Sequence, residues 1–270
     1  MPPETLSRAA QDRFREAIAA ADQAPGRAGI GTLGEKTLHA VLKCYCQPDV
    51  RLHEQKLEGF VADILEDGHV VEVQTRQLDR LSRKLEAFLP LAAVTVVYPV
   101  ARYRQICWVD PETGEVSRPR RSSRHGNWCH ALPELYRLRS LLAAPGLQFR
   151  LLLIDVAEYR LLDGYGPEKK KRASRYERVP LELVGELWLN SPADYRLLVP
   201  LQLPERFTMA EFGRCSGLRG RNAWCALQVL LQTGAAVLIG QEGRKYIYRR
   251  CSAEAESREE TKSNILEEQA

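Results

Sequence analysis

The segment of residues 53–75 constrains the fold most strongly, because a two-residue turn signal separates two apolar runs. Asp67-Gly68 is typical of a type I′ turn, in which both central residues take positive φ. If this turn joins two antiparallel strands, Asp63 lies opposite Glu72 with the two Cβ atoms about 5 Å apart. Opposed carboxylates repel one another, so the sequence predicts a cation, a shared proton or a basic neighbour beside the pair.

The second strand of this predicted hairpin has two different faces, because side chains alternate along a strand. Glu72 and Gln74 share one face with Val70, whereas the other face carries apolar residues and Thr75 and is typical of a core. Carboxylates and an amide within apolar sequence form an oxygen-rich site. Such sites suit Mg²⁺ or Mn²⁺, which take a few carboxylates and keep waters for exchange with a phosphate.

An acidic residue on one strand followed by E-x-K on the next is the signature of the PD-(D/E)XK, or restriction-endonuclease-like, nuclease superfamily. This chain resembles that pattern with Asp63 and then Glu72-Val73-Gln74, with glutamine where lysine is usual. Some restriction enzymes of the superfamily carry glutamine there. The resemblance implies that Asp63 and Glu72 bind Mg²⁺ or Mn²⁺, that Gln74 orients the attacking water, and that DNA is cleaved.

The predicted elements around the hairpin extend this resemblance. A capping box, Thr32 to Glu35, opens a helix that runs to about Cys46. After the hairpin, residues 77–89 have helical periodicity and residues 93–98 form a β-branched run. The order resembles the αβββαβ core of the superfamily, which implies an α/β (α+β) fold with a mixed sheet. Glu35 has two interpretations that stay open: a helix cap, or a further carboxylate of the metal site.

Basic residues lie along one side of the helix predicted after the hairpin. Arg76, Arg80 and Lys84 recur every four residues and therefore share a face. A solvated basic face explains this spacing. If the hairpin is a nuclease site, the same face contacts backbone phosphates. The five histidines of the chain are interpreted as surface or structural residues.

The C-terminal part of the chain follows a different pattern. A capping box at Thr208 to Glu211 opens a short helix, residues 219–233 form a second helix with Trp224 turned inward, and residues 235–239 and 245–249 form two strands. This order resembles a winged helix-turn-helix, which serves either as a DNA-binding or as a protein-contact module. The residues that the resemblance places against DNA are Arg219, Arg221 and Asn222 on the second helix and Arg244 and Lys245 on the wing.

The predicted domain boundaries follow these patterns. Residues 1–29 form a helical arm, 30–166 the nuclease-like domain, 167–179 a basic linker, 180–251 the winged-helix domain and 252–270 a disordered acidic tail. Helical segments are expected at 180–188 and 192–199, and a short helix at 132–143. The linker is interpreted either as a solvated connector or as a phosphate contact.

Composition narrows the function classes. The chain has 44% hydrophobic residues, no apolar run of membrane-spanning length and no apolar signal-peptide segment at its N-terminus, so a cytoplasmic protein is expected. Its seven cysteines include no C-x-x-C pair, which favours reduced thiols. Outside the tail, 37 basic residues face 29 acidic ones, a net charge of +8 compatible with binding DNA.

The sequence thus favours a Mg²⁺-dependent endonuclease that binds DNA, and nucleases of this fold often act as homodimers. The alternative interpretation is a catalytically inactive nuclease-fold protein that binds DNA or another protein. A structural or assembly role for the N-terminal helix is a third interpretation.

Overall fold

The computed structural model describes residues 6–23, 37–165 and 172–251. The chain divides into two compact units. The large unit contains the described residues up to Trp128 together with Pro145–Trp188, and the small unit contains Cys129–Ala144 and the described residues from Leu189 onward. No helix in the described ranges is long and apolar enough to cross a membrane.

In the described part of the large unit, seven strands form one sheet. They are β1 (His53–Leu57), β2 (Phe60–Glu66), β3 (His69–Val73), β4 (Ala93–Val109), β5 (Arg120–Arg121), β6 (Leu147–Leu161) and β7 (Ser174–Leu189). Their order across the sheet is β1-β2-β3-β4-β6-β7, and β5 pairs with β4. Strands β1 to β3 are antiparallel neighbours, whereas β3, β4 and β6 run parallel. The expected mixed α/β architecture is therefore confirmed.

The described helices of the large unit are α1 (Arg8–Gln23), α2 (Thr37–Cys46) and α3 (Ser82–Phe88), the last preceded by a 3₁₀ turn at Leu78–Leu81. From α2 to β4 the chain runs helix, three strands, helix, strand, as the sequence predicts. Helix α1 contributes Phe14, only 1% exposed, whose ring lies 5.3 Å from that of Tyr45 on α2. The predicted N-terminal arm is therefore part of the core of this unit over its described residues.

The β2–β3 hairpin has the predicted turn and register. Asp67 and Gly68 take φ values of 46° and 75°, which the type I′ turn requires. Ile64 pairs with Val71, and the next two pairs toward the turn follow in the same register. Because side chains alternate, this register determines which residues share a face, and the local sequence was sufficient to predict it.

The predicted linker at 167–179 and the predicted helix at 180–188 are wrong where the structure describes them. Residues 174–189 form β7, a strand of the large sheet next to β6. Leu183, Gly185, Leu187 and Leu189 are buried at two-residue spacing, which is the periodicity of a strand. The segment at 192–199 is a 3₁₀ helix, Pro192–Leu198, so the second unit begins near Leu189 rather than at residue 180.

The small unit contains α4 (Leu132–Leu135), α5 (Met209–Ser216), α6 (Gly220–Gln232) and strands β8 (Arg206–Thr208), β9 (Ala236–Glu242) and β10 (Lys245–Arg250). The three strands lie in the order β8-β10-β9. The predicted capping box is present: the Thr208 amide donates to Glu211 Oε2 at 2.7 Å, and the Glu211 amide donates to Thr208 Oγ1 at 3.3 Å. The two helices and two strands predicted here are therefore confirmed.

Two assignments in this unit need correction. Residues 129–144 belong to the small unit, although they lie within the predicted nuclease-like domain of residues 30–166. Leu132 and Leu135 are fully buried, and their helix α4 packs against α6 of the small unit although its sequence position lies between β4 and β6. Trp224, predicted to point inward, is 45% exposed and meets Tyr136 edge to face at 5.5 Å between ring centroids.

Candidate active site at the β2–β3 hairpin

The two carboxylates of the hairpin each accept a hydrogen bond from the backbone of the other strand. The Asp63 amide donates to Glu72 Oε1 at 3.2 Å, and the Val73 amide donates to Asp63 Oδ2 at 2.8 Å. These side chains therefore satisfy backbone donors beyond the last ladder pair, Ile64–Val71. The arrangement fixes both carboxylates at the point where β2 and β3 diverge, and it brings the predicted pair together.

Lys84 supplies the basic neighbour that the opposed carboxylates require. It extends from α3 and places Nζ 2.6 Å from Glu72 Oε2. Glu72 is 1% exposed and Lys84 is 18% exposed, so the ion pair is largely shielded from water. The sequence placed Lys84 on a face for phosphate contacts. Its position twelve residues after Glu72, on the next helix, gave no direct sign that it would reach back to the carboxylate.

His39 is a second basic group that the sequence did not assign to the site. It lies on α2, and its Nε2 is 3.3 Å from Asp63 Oδ2. Helix α2 therefore contributes to the site as well as to the core. The sequence placed His39 on the helix that precedes the hairpin. It could not show which side of that helix faces Asp63.

The two carboxyl groups have opposite proton affinities. Burial is the largest influence on Asp63 and raises its pKa, but His39, the Val73 amide and Lys84 together hold the pKa below its ordinary value. Burial and then the charge of Asp63 raise the pKa of Glu72 to about 7, against the lowering effect of Lys84. At neutral pH the pair therefore consists of one firmly ionised carboxylate and one that exchanges a proton readily.

Gln74 has a different environment from the one that the sequence implied. Its Nε2 donates to the carbonyl oxygens of Arg76 at 2.7 Å and Gln77 at 3.3 Å. Gln77 takes a left-handed φ of 55°, and the Gln74 amide stabilises this loop between β3 and α3. The polar contact beside the carboxylates comes from Lys84 rather than from position 74. Glu35 lies outside the described residues.

The donor set fits a Mg²⁺ or Mn²⁺ ion that keeps most of its waters. Asp63 and Glu72 offer carboxylate oxygens with lone pairs beyond those used by the backbone amides. Mg²⁺ is commonly held by one or two carboxylates, waters and a substrate phosphate. Among the described residues, no group of three or more His, Cys, Asp and Glu is arranged to hold a metal, so a cage made wholly of protein ligands does not form there.

The other residues predicted to contact nucleic acid are on the surface. Arg76 and Arg80 are exposed in the large unit, between the end of β3 and α3. In the small unit, the exposed residues are Arg219, Arg221 and Asn222 at the start of α6, and Arg244 and Lys245 in and after the β9–β10 turn. Their side chains are available to a ligand, and each group forms a local cluster within its own unit.

The hairpin, α3 and the flanking strands fall within a region shared with other proteins. Residues 36–190 match the family described as Domain of unknown function (DUF8091). An uncharacterised protein of Treponema pallidum (strain Nichols) is 30% identical over 222 residues, which cover 82% of this chain and 87% of that protein. No solved structure matches the chain. The matched family region runs from just before α2 to just after β7, and the chain belongs to the DUF8091 family.

Proposed function

We propose that the chain is a metal-dependent nuclease that hydrolyses phosphodiester bonds of DNA at the β2–β3 hairpin. The observation that carries this proposal is the buried Asp63–Glu72 pair with Lys84 Nζ 2.6 Å from Glu72. The order helix, three strands, helix, strand around it supports the resemblance to the PD-(D/E)XK superfamily.

The residues of the site divide the chemical work. Bound Mg²⁺ or Mn²⁺ supplies Lewis acidity that polarises the scissile phosphate and lowers the pKa of a coordinated water. Asp63, ionised at neutral pH, is the stronger candidate for a permanent metal ligand. Glu72 ligates once it has lost its proton, so its pKa of about 7 makes metal binding depend on pH near neutrality.

Lys84 takes the place of the amine missing at position 74. A lysine ammonium beside the carboxylates stabilises negative charge that develops on a phosphate oxygen through a full positive charge, which an amide lacks. The amine comes from α3 rather than from β3, yet it reaches the same carboxylate. A chain with E-x-Q therefore keeps a cationic group within its candidate active site.

The small unit supports the choice of DNA as substrate. Two helices followed by a β-hairpin resemble a winged helix-turn-helix, with Arg219, Arg221 and Asn222 at the start of the second helix. Exposed arginines at a helix start suit contacts with phosphates and base edges. We infer that this unit holds the duplex while the carboxylate pair cleaves it.

The test combines metal binding with cleavage. Asp63→Asn and Glu72→Gln each remove one carboxylate charge with little change in volume, and Glu66→Gln is the matched control on an exposed residue of the same hairpin. We expect Mg²⁺ or Mn²⁺ to raise the melting temperature of wild type and of Glu66→Gln only. Mg²⁺-dependent DNA cleavage should be lost in both site variants, and cleavage that survives in both rejects the proposal.

A second candidate function is a nuclease-fold binding protein without catalysis. The observation in its favour is that Gln74 is used by the loop carbonyls and both carboxylates already accept backbone amides. This candidate predicts DNA binding that is unchanged by EDTA and no melting shift with Mg²⁺ in wild type. The same measurements therefore separate the two functions.

A further inference from the structure

A second charged cluster lies in the large unit and takes no part in the carboxylate pair. Its centre is Glu158 on β6, which is 1% exposed. Arg160 Nε lies 2.7 Å from Glu158 Oε1, and Arg175 Nε lies 3.4 Å from Glu158 Oε2. Both carboxylate oxygens of Glu158 are therefore already paired with a guanidinium group.

The guanidinium groups of two more arginines, Arg178 and Arg104, lie near Glu158. Arg178 on β7 donates from Nη2 to the Thr75 carbonyl oxygen at 2.8 Å. Arg104 on β4 is half-buried, and within the described ranges its side chain makes no hydrogen bond or ion pair. Burial, and then the charges of neighbouring arginines, lowers the pKa of both groups, to about 10 for Arg178.

The charges of this cluster do not balance. Within the described residues, four guanidinium groups, each protonated at any physiological pH, lie around the Glu158 carboxylate. Glu177, the next acidic residue along β7, accepts hydrogen bonds from Thr37 at the start of α2 instead. Partly buried positive charge without a partner is costly, and an anion in contact with these groups removes that cost.

The geometry suits an oxyanion. A guanidinium presents parallel N–H donors that match two oxygens of a phosphate, and several arginines together form the usual phosphate site. A cavity of about 20 Å³, with room for one oxygen atom, is lined by Thr75, three arginines (Arg76, Arg175 and Arg178) and one carboxylate, Glu177, among others. Arg76, predicted from the sequence to contact phosphate, therefore lies beside this cluster.

We propose that Arg104, Arg175 and Arg178 form a site for a phosphate group, at the end of β3 that follows Glu72. Phosphate binding by these arginines is a separate role from DNA cleavage, because it does not depend on whether the carboxylate pair is active. Two kinds of phosphate group in a nucleic acid fit this site: a terminal phosphomonoester and an internal phosphodiester. The shared feature is a tetrahedral oxyanion with at least two free oxygens.

The test uses the full chain in EDTA and phosphate-free buffer, so that metal binding plays no part. Inorganic phosphate is titrated at constant ionic strength, and the melting temperature and the heat of binding are followed. Arg104→Gln removes a charge without breaking a protein hydrogen bond, and Arg118→Gln removes one from an exposed loop as control. Arg175→Gln, at a half-exposed position, is the second variant if the first does not fold.

We expect phosphate to raise the melting temperature of wild type and Arg118→Gln, and to bind Arg104→Gln about tenfold more weakly. Without phosphate, Arg104→Gln should melt above wild type because repulsion among the arginines is relieved. Equal phosphate affinity in wild type, Arg104→Gln and Arg175→Gln overturns the proposal.

Oligonucleotides with and without a 5′-phosphate then identify the source. Tighter binding of the phosphorylated strand, lost in Arg104→Gln, assigns a terminal monoester. Equal binding of both strands that weakens in Arg104→Gln assigns an internal diester. Oligonucleotide binding that no arginine variant changes overturns the site. Because EDTA is present throughout, failure here leaves the cleavage test unaffected, and failure of cleavage leaves this test unaffected.

Discussion

The carboxylate pair and the arginine cluster around Glu158 both contain buried charge, but the excess charge is balanced in different ways at the two sites. At the hairpin, two acids meet two basic groups, His39 and Lys84, and one of the acids has its pKa raised to about 7. Around Glu158, four described arginines that keep their protons at physiological pH lie near this single buried carboxylate. The first site adjusts its charge by titration, whereas the role that we propose for the second is to bind an anion.

This difference predicts that the same substitution has opposite effects at the two sites. Glu158→Gln removes the buried carboxylate that pairs with Arg160 and Arg175 and should destabilise the fold by about 3–5 kcal/mol. Glu72→Gln at pH 8 should leave the fold equally or more stable, because the ionised glutamate is disfavoured there. Urea unfolding at constant salt measures both changes.

Glu86→Gln, on an exposed position of α3, is the matched control and should change stability by less than about 0.5 kcal/mol. A Glu158→Gln variant as stable as this control would show that the arginines do not depend on Glu158, and the contrast between the sites would fail.

The pH dependence of stability is the next largest expected effect. The pKa of Glu72 is raised from 4.5 to about 7, so its contribution to stability is complete below pH 4.5 and is lost as pH rises through 7. The loss is on the order of 3 kcal/mol. Asp63, whose pKa is lowered, contributes stability above its ordinary pKa that disappears in acid.

Chemical unfolding from pH 5 to pH 8 checks this effect. Wild type and Glu66→Gln should lose stability over the range, while Glu72→Gln should show a flatter profile. Identical slopes for wild type and Glu72→Gln would mean that Glu72 does not carry the proton.

Lys84→Met tests the charge balance of the candidate active site. Loss of the ammonium removes the ion pair that lowers the pKa of Glu72, so this pKa should rise further. We expect kcat for DNA cleavage to fall about 10²–10³-fold, as for loss of one charge-stabilising donor. The pH at which Mg²⁺ begins to raise the melting temperature should also move upward.

Arg83→Met is the control for that variant, since Arg83 is the exposed neighbour on the same helix. Lys84→Arg should restore the pH profile more than the rate, because the charge is kept but its position changes. If the Lys84→Met variant kept the wild-type kcat and an unshifted pH profile, Lys84 would have no role in the candidate active site.

Local signals in the sequence predicted the hairpin and its register. The Asp67-Gly68 turn and the alternation on each side determine the pairing without reference to the rest of the chain. His39 and Lys84 were not assigned to the carboxylates, because the rotation of α2 and α3 against the sheet is a tertiary property. The same reason explains residues 129–144, whose partners lie more than fifty residues further along the chain.

The misread strand β7 has a different cause. The basic run before it favoured a linker, and the leucines that follow were interpreted as helical although they lie two or four residues apart, on one face of a strand. Gly185 in the middle lies against Trp128, where a Cβ atom would be 3.1 Å from the ring, so the strand tolerates a residue that weakens isolated strands. Packing against the sheet, which local propensity does not include, decided this segment.

The smallest effect is expected for Gly68→Ala, which tests whether the β2–β3 turn or the strand pairing positions the two carboxylates. Gly68→Ala forces alanine into φ 75°, although its Cβ would meet no atom within 4 Å, so the cost is backbone strain of about 1 kcal/mol. Gly59→Ala, in the β1–β2 turn with the same φ and the same free space, is the matched control.

Both variants should lose similar stability, while the pKa of Glu72, followed by NMR, should stay near 7. The ladder pairs and the Lys84 contact hold the site once the strands have paired. If Gly68→Ala alone returns the pKa of Glu72 toward 4.5, the turn itself holds the two carboxylates together, and the charge balance of the hairpin depends on two residues rather than on the sheet.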